Sequence, residues 1–162
     1  KGVEMKVNEV LEAIPKHWFS WDFLITSSSR PVAELGISWW REKGELMIEG
    51  LPHQVYRERF MGGAFILSSN GSVLARAEKP SAFRRSFLLD YMGKRYTLQA
   101  RSAFGRTFIL SEDSAEIGSI HPTGLLTRRA RAVLPGHLPL FFKVFLIWLT
   151  LVLWKREAES TS

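Results

Sequence analysis

From Leu138 to Trp154 the chain reads Leu-Pro-Leu-Phe-Phe-Lys-Val-Phe-Leu-Ile-Trp-Leu-Thr-Leu-Val-Leu-Trp, seventeen residues with one charge. Pro135 and Pro139 suit a helix start, where a missing N–H costs little, and Lys155-Arg156 suit a last turn. A helix that is apolar on every side must be surrounded on every side, by lipid or by protein. As a membrane span it is slightly short, roughly 25 Å against a hydrocarbon core of ~30 Å. Its aromatics Phe141, Phe142, Trp148 and Trp154 and its basic flanks suit a span, but Lys143 costs on the order of 2.5–3.5 kcal/mol if held centrally. As a protein core it needs a barrel of about a dozen strands, because eight leave room only for side chains or a small ligand. The expectation is the second: a helix inside a barrel, with Lys143 near the mouth and its ammonium in water.

The rest of the chain supplies such strands. Phe23-Leu24-Ile25-Thr26-Ser27, Phe65-Ile66-Leu67-Ser68-Ser69 and Phe108-Ile109-Leu110-Ser111 each run through turn residues into a second apolar stretch, at offsets of 42 and 43 residues. Each unit reads as a β-hairpin, most sharply at Asn70-Gly71, since both residues tolerate the positive φ of a tight turn. Between them lie strand patterns at Leu46-Met47-Ile48, Gln54 to Phe60, Ser86 to Tyr91 and Arg95 to Arg101. In the last, Tyr96, Leu98 and Ala100 alternate with Thr97, Gln99 and Arg101, the period of a strand with one wet face. The unit is a meander of about four strands in ~42 residues. Three units are too few for a propeller of ~4 or more blades, so a closed antiparallel barrel fits better. The aromatics Trp18, Phe19, Trp21, Trp39 and Trp40 are expected mainly in the barrel core rather than in a lipid-interface belt. Tyr91, Tyr96 and Phe104 fit the inward pattern too, which makes single-stranded nucleic acid a weaker candidate partner.

Charge is distributed unevenly. Residues 1–81 hold ten basic and ten acidic side chains, and residues 82–162 hold twelve and six, so the whole net charge of +6 is C-terminal. Between Glu116 and Glu157 there is no acidic residue. A field of one sign favours anionic partners, although a basic surface also serves solubility alone. There is no cysteine, which excludes disulfides, a thiol nucleophile and Cys-based metal sites. His17, His53, His121 and His137 are dispersed without metal-ligand spacing and read as turn or surface residues. Gly93-Lys94 lacks the rest of a phosphate loop, and no G-x-S-x-G or G-x-G-x-x-G occurs. No enzyme activity, metal or cofactor is expected. Residues 1–16 carry three glutamates and no apolar run, unlike a signal peptide, so the default location is cytoplasmic.

With the hairpins at Phe23, Phe65 and Phe108, the basic stretch and the apolar run Phe141 to Trp154, the chain from Trp18 to Trp154 resembles the Tubby C-terminal-like superfamily. That group includes LURP-one-related proteins and phospholipid scramblases. The resemblance implies a twelve-stranded barrel threaded by a hydrophobic C-terminal helix, and a non-enzymatic role in membrane-lipid or protein association. Tubby domains bind phosphoinositides through basic surface residues; the acidic calcium segment attributed to scramblases has no counterpart here. The expected organisation is a lead-in over 1–17, the barrel with its helix over 18–156 (helix about 138–154), and a polar tail over 157–162. The expected function is association with anionic phospholipid membrane surfaces, peripherally from the cytoplasm, or a scramblase- or LURP-one-like role, with Arg84, Arg85, Lys94, Arg95, Arg128, Arg129 and Arg131 as candidate lipid contacts. The alternatives are a structural or regulatory protein-interaction module, and a tail-anchored membrane protein using 138–154.

Overall fold

Alternating side chains make a two-faced strand, and a sheet of such strands buries its apolar face completely only by closing around something. The computed structural model, which describes residues 7–38, 43–58, 63–79 and 84–161, shows that closure. Its strands are β1 (Asn8–Pro15), β2 (Asp22–Ser27), β3 (Arg30–Ile37), β4 (Gly44–Ile48), β5 (Leu51–Arg57), β6 (Phe65–Ser69), β7 (Ser72–Glu78), β8 (Ser86–Tyr91), β9 (Lys94–Ala100), β10 (Phe108–Glu112), β11 (Ala115–Pro122) and β12 (Ala130–Pro135). All pair antiparallel in chain order, and β1 pairs with β12 to close one twelve-stranded barrel. The helix α1 (Leu140–Ser160) fills it, with every residue from Phe142 to Lys155 buried.

The repeat has two periods. Five two-residue turns, Ser28-Ser29, Glu49-Gly50, Asn70-Gly71, Met92-Gly93 and Asp113-Ser114, have positive φ at both residues and recur every 21 or 22 residues. This mirror-image turn matches the right-handed twist of the strands it joins. The 42-residue period appears in the register. Only the Phe-led hairpins shift it, at Ile25/Thr26, Leu67/Ser68 and Leu110/Ser111. The hairpins between them, β4–β5 and β8–β9, pair without a shift. Each shift inserts a bulge that sharpens twist and bends the strand, which helps a sheet of this width to curl shut.

Inside, bulk alternates with space. Phe65 and Phe87 point inward from β6 and β8, and β7 between them turns Ala75 and Ala77 inward. Trp148, at the middle of α1, meets Phe65 edge-on at 5.5 Å and donates its indole N–H to the Gly36 carbonyl at 3.1 Å. The approach is close enough that β4 must start with a glycine. A Cβ on Gly44 would overlap the Trp148 ring and lie 2.7 Å from the Gly36 oxygen. Gly44→Ala is therefore expected to cost about 1–3 kcal/mol by overpacking, read as a lower urea midpoint with an unchanged slope.

Several expectations are corrected here. The stretch 1–17 is not a lead-in, because β1 lies within it and turns Leu11 and Ala13 into the core. That strand pairs with its neighbour β2 on one side, but on the other its partner is β12, more than a hundred residues away and beyond the reach of local periodicity. The helix starts at Leu140 and runs to Ser160, through most of the supposed polar tail. Lys143 is not in water: its side chain is 4% exposed and its ammonium is paired with the Glu9 carboxylate of β1. The helix is barrel core rather than a membrane anchor, and among the described residues no helix is long and apolar enough to cross a membrane. Trp39, Trp40 and Phe60 lie outside the described residues.

Candidate functional site

The two ends of the barrel differ in construction and in charge. At one end are the five tight turns, whose only charges are Glu49 and Asp113. At the other are the longer connections 16–21, 38–43, 58–64, 79–85, 101–107 and 123–129, together with the end of α1. Among the described residues of those six loops are Lys16, Lys43, Lys79, Arg84, Arg85, Arg101, Arg106, Arg128 and Arg129 and one acidic residue, Glu58. Four of the nine are ion-paired with acids beyond the loops, Lys16 with Glu34, Arg85 with Glu157, Arg101 with Glu116 and Arg129 with Glu12. At the helix end Lys155 and Arg156 are balanced by Glu157 and Glu159. The charge excess that lies in the C-terminal half of the sequence is thus gathered on the loop end of the barrel. Lys79 shows the crowding: burial, and then the charge of Arg57, hold its ammonium below the ordinary lysine value.

Three of these arginines form a staircase around the rim. Arg85 donates to the carbonyls of Ala103 (3.4 Å) and Gly105 (2.7 Å) in the next loop, and to Glu157 of α1 at 3.1 Å. Arg106 donates to the carbonyls of Gly124 (3.1 Å), Leu125 (2.7 Å) and Thr127 in the loop after that. Arg128 donates to His17 (3.0 Å), Trp18 and Ser20 in the loop joining β1 to β2. Each also lies over a ring: Arg85 over Phe108, Arg106 over Trp154 and Arg128 over Trp21. All three precede the first inward residue of their strand, Phe87, Phe108 or Ala130, by two positions, so the hairpin repeat sets their spacing. Burial draws Arg106 and Arg128 below the ordinary arginine value, yet arginine stays charged in proteins. Because their hydrogen-bond acceptors are neutral carbonyls, these two charges are fixed at the rim without a carboxylate on their donors, although Arg106 also feels the charge of Glu157.

The seven residues singled out in the sequence do not form one patch. Arg84, exposed, and Arg85 stand in the loop between β7 and β8, and Arg128 and Arg129 in the loop between β11 and β12. Arg129 and Arg131 both reach Glu12 on the wall, at 2.9 and 3.3 Å, and the Arg129 hydrogen bond leads in holding that carboxyl below the usual glutamate range. Lys94 and Arg95 are at the opposite, turn end, paired with Glu112 at 3.5 Å and Asp90 at 2.9 Å. Arg106, the middle step of the staircase, and Arg101 were missed, because isolated arginines in a loop carry no local signal.

The aromatics also sort differently from expectation. Tyr96 is buried and Tyr91 stacks on Phe142 at 4.8 Å. Trp18, Phe19 and Phe104, however, are not core: all three are exposed at loop tips, as are Leu125 and Leu126. His53 is not a surface residue; it is buried on β5 with Nδ1 2.9 Å from the Leu51 carbonyl oxygen. Hollows of about 410 Å³ (around Lys16, Asp22, Glu34 and Glu45) and 660 Å³ (around Glu9, Glu12, Ser27 and Arg129) lie on the outer wall, lined chiefly by acidic and neutral residues. Among the described residues no group of His, Asp or Glu could hold a metal ion. Compared with known proteins, the chain matches no family model, no curated protein and no solved structure.

Proposed function

We propose that this barrel is a non-catalytic module that associates peripherally with anionic phospholipid surfaces, from the cytoplasmic side, through its loop end. The observation that carries the reading is the polarity of the barrel, nine basic side chains against Glu58 in the described parts of its six loops. Each lysine or arginine near such a surface contributes ~1 kcal/mol, and the attraction fades within a Debye length of ~8 Å at physiological salt. Several cations on one face therefore suffice for reversible docking, and a barrel filled by its own helix offers a rigid platform for them. The resemblance to the Tubby C-terminal-like group points the same way.

Flotation with liposomes across a salt series tests the reading. The full chain is expected to float with vesicles containing phosphatidylserine at low salt, to be released as salt rises, and to float far less with pure phosphatidylcholine, which has no net charge. Arg84→Glu is expected to weaken the anionic partition by roughly tenfold or more, since it changes the local charge by two. Lys94→Glu with Arg95→Glu, at the other end, is expected to leave it within about twofold. Equal losses for the two ends would refute docking through the loops. Folded protein that binds no anionic vesicle would move the reading to a protein-interaction module.

A further inference from the structure

We infer that three adjacent loop tips form an apolar wedge that enters the lipid at the headgroup–acyl boundary, setting the barrel end-on to the membrane. This rests on the proposed membrane reading and adds to it a mode of binding. Trp18 and Phe19 are 77% and 76% exposed, Phe104 87%, Leu125 95% and Leu126 100%. Their loops join β1–β2, β9–β10 and β11–β12, which are consecutive hairpins around the rim. Exposed large apolar side chains gathered at one place mark an interaction surface.

The arginine staircase makes the tips stiff. Arg85 holds the carbonyls on either side of Phe104, Arg106 holds that of Leu125, and Arg128 holds that of Trp18. Trp154, the last large apolar residue of the helix, supports the wedge from within by donating its indole N–H to the Arg106 carbonyl at 2.9 Å. Backbone fixed in advance loses little entropy when its side chains are buried in a partner. The occupant follows from charge: the wedge rises from the basic end, so the surface it enters carries negative charge at headgroup level. Tryptophan and phenylalanine suit that depth.

The absence of cysteine allows one environment-sensitive label per chain. Leu126→Cys labelled with nitrobenzoxadiazole is expected to shift to the blue and brighten when the full chain meets vesicles containing phosphatidylserine, and to be quenched by lipids spin-labelled near the headgroup. Met92→Cys, 81% exposed at the turn end, carries the same label as a control and is expected to stay unchanged. Leu125→Ser with Leu126→Ser is expected to lower vesicle partition at least about tenfold without lowering the melting temperature, because both side chains are in water. An unchanged label at 126 on protein that still floats overturns insertion and leaves electrostatic docking standing. A failure of the wild-type chain to float at low salt overturns both. A dimer seen by sedimentation in the wild type and lost in the Leu125→Ser, Leu126→Ser variant assigns the tips to a second copy of this chain and also overturns the wedge.

Discussion

A chain ending at Pro135 is expected to give no soluble folded barrel. The twelve strands would remain, but their inner faces, with Phe23, Phe65, Phe87 and Phe108 all fully buried, would line an empty channel or collapse. Helix α1 is the core on which every strand packs, so its removal exposes the entire interior to water. The expected result is aggregation, or a loosely packed state that binds a hydrophobic dye and melts without a cooperative transition. A graded version keeps the chain intact: Trp148→Ala removes the ring against Phe65 and the hydrogen bond to Gly36, and is expected to cost about 3–5 kcal/mol. A well-dispersed, cooperatively melting fragment ending at Pro135 would show that the helix is dispensable and would reopen a role for it outside the barrel.

The second large effect is expected at Glu9. Lys143 is buried near the start of the helix, and the Glu9 carboxylate is its ion-pair partner. Glu9→Gln leaves a buried ammonium with no compensating charge, a loss of about 3–5 kcal/mol. Lys143→Met is expected to cost under about 1.5 kcal/mol, since it removes the buried charge at similar volume and leaves a carboxylate still one-third exposed to water. This asymmetry is the signature to seek in urea unfolding. Acid adds a check. The Lys143 hydrogen bond, opposed by burial and helped by Ser27, holds Glu9 below the ordinary glutamate value of 4.5. A depressed carboxyl contributes stability that is full above that ordinary value and is lost as pH falls through the native one. The wild-type midpoint should therefore drop on acidification below about pH 4.5, and Glu9→Gln should show a shallower drop from its lower start. Identical acid slopes would mean the pair does not couple to folding.

Both effects join segments far apart in sequence, and they show where reading the chain succeeds. The apolar run after Leu138 identified its own burial, because no surface helix is apolar all round. Ten of the strands were legible, because strand alternation and turn residues are local. The strands that close the barrel were not. β1 turns inward only Leu11 and the small Ala13, and β12 turns inward Ala130, Ala132 and Leu134 amid arginines. Their identity depends on pairing with each other, from Asn8 opposite Pro135 to Ala13 opposite Ala130. The Phe-led repeat was correct at 42 residues, but the finer 21-residue step was hidden: ahead of Glu49-Gly50 the phenylalanine's place is taken by Gly44, and ahead of Met92-Gly93 it is held by Phe87, which follows Ser86 instead of opening an apolar run.

The candidate site divides along the same line. Composition and order along the chain established an excess of positive charge and placed it in the second half. They also established that the protein has no thiol chemistry and that its last apolar segment is enclosed. Only the closed barrel decided that Lys94 and Arg95 stand at the opposite end from Arg84 and Arg128, because successive strands reverse direction and carry neighbours in sequence to different rims. Only the rim decided that Arg106 and Arg128 use their hydrogen bonds on backbone carbonyls while keeping their charge. And only the loops decided that Trp18, Phe19 and Phe104 face water: a strand's period dictates which side a residue faces, but beyond the strand's end there is no period, and the direction of a side chain is set by what its backbone is tied to.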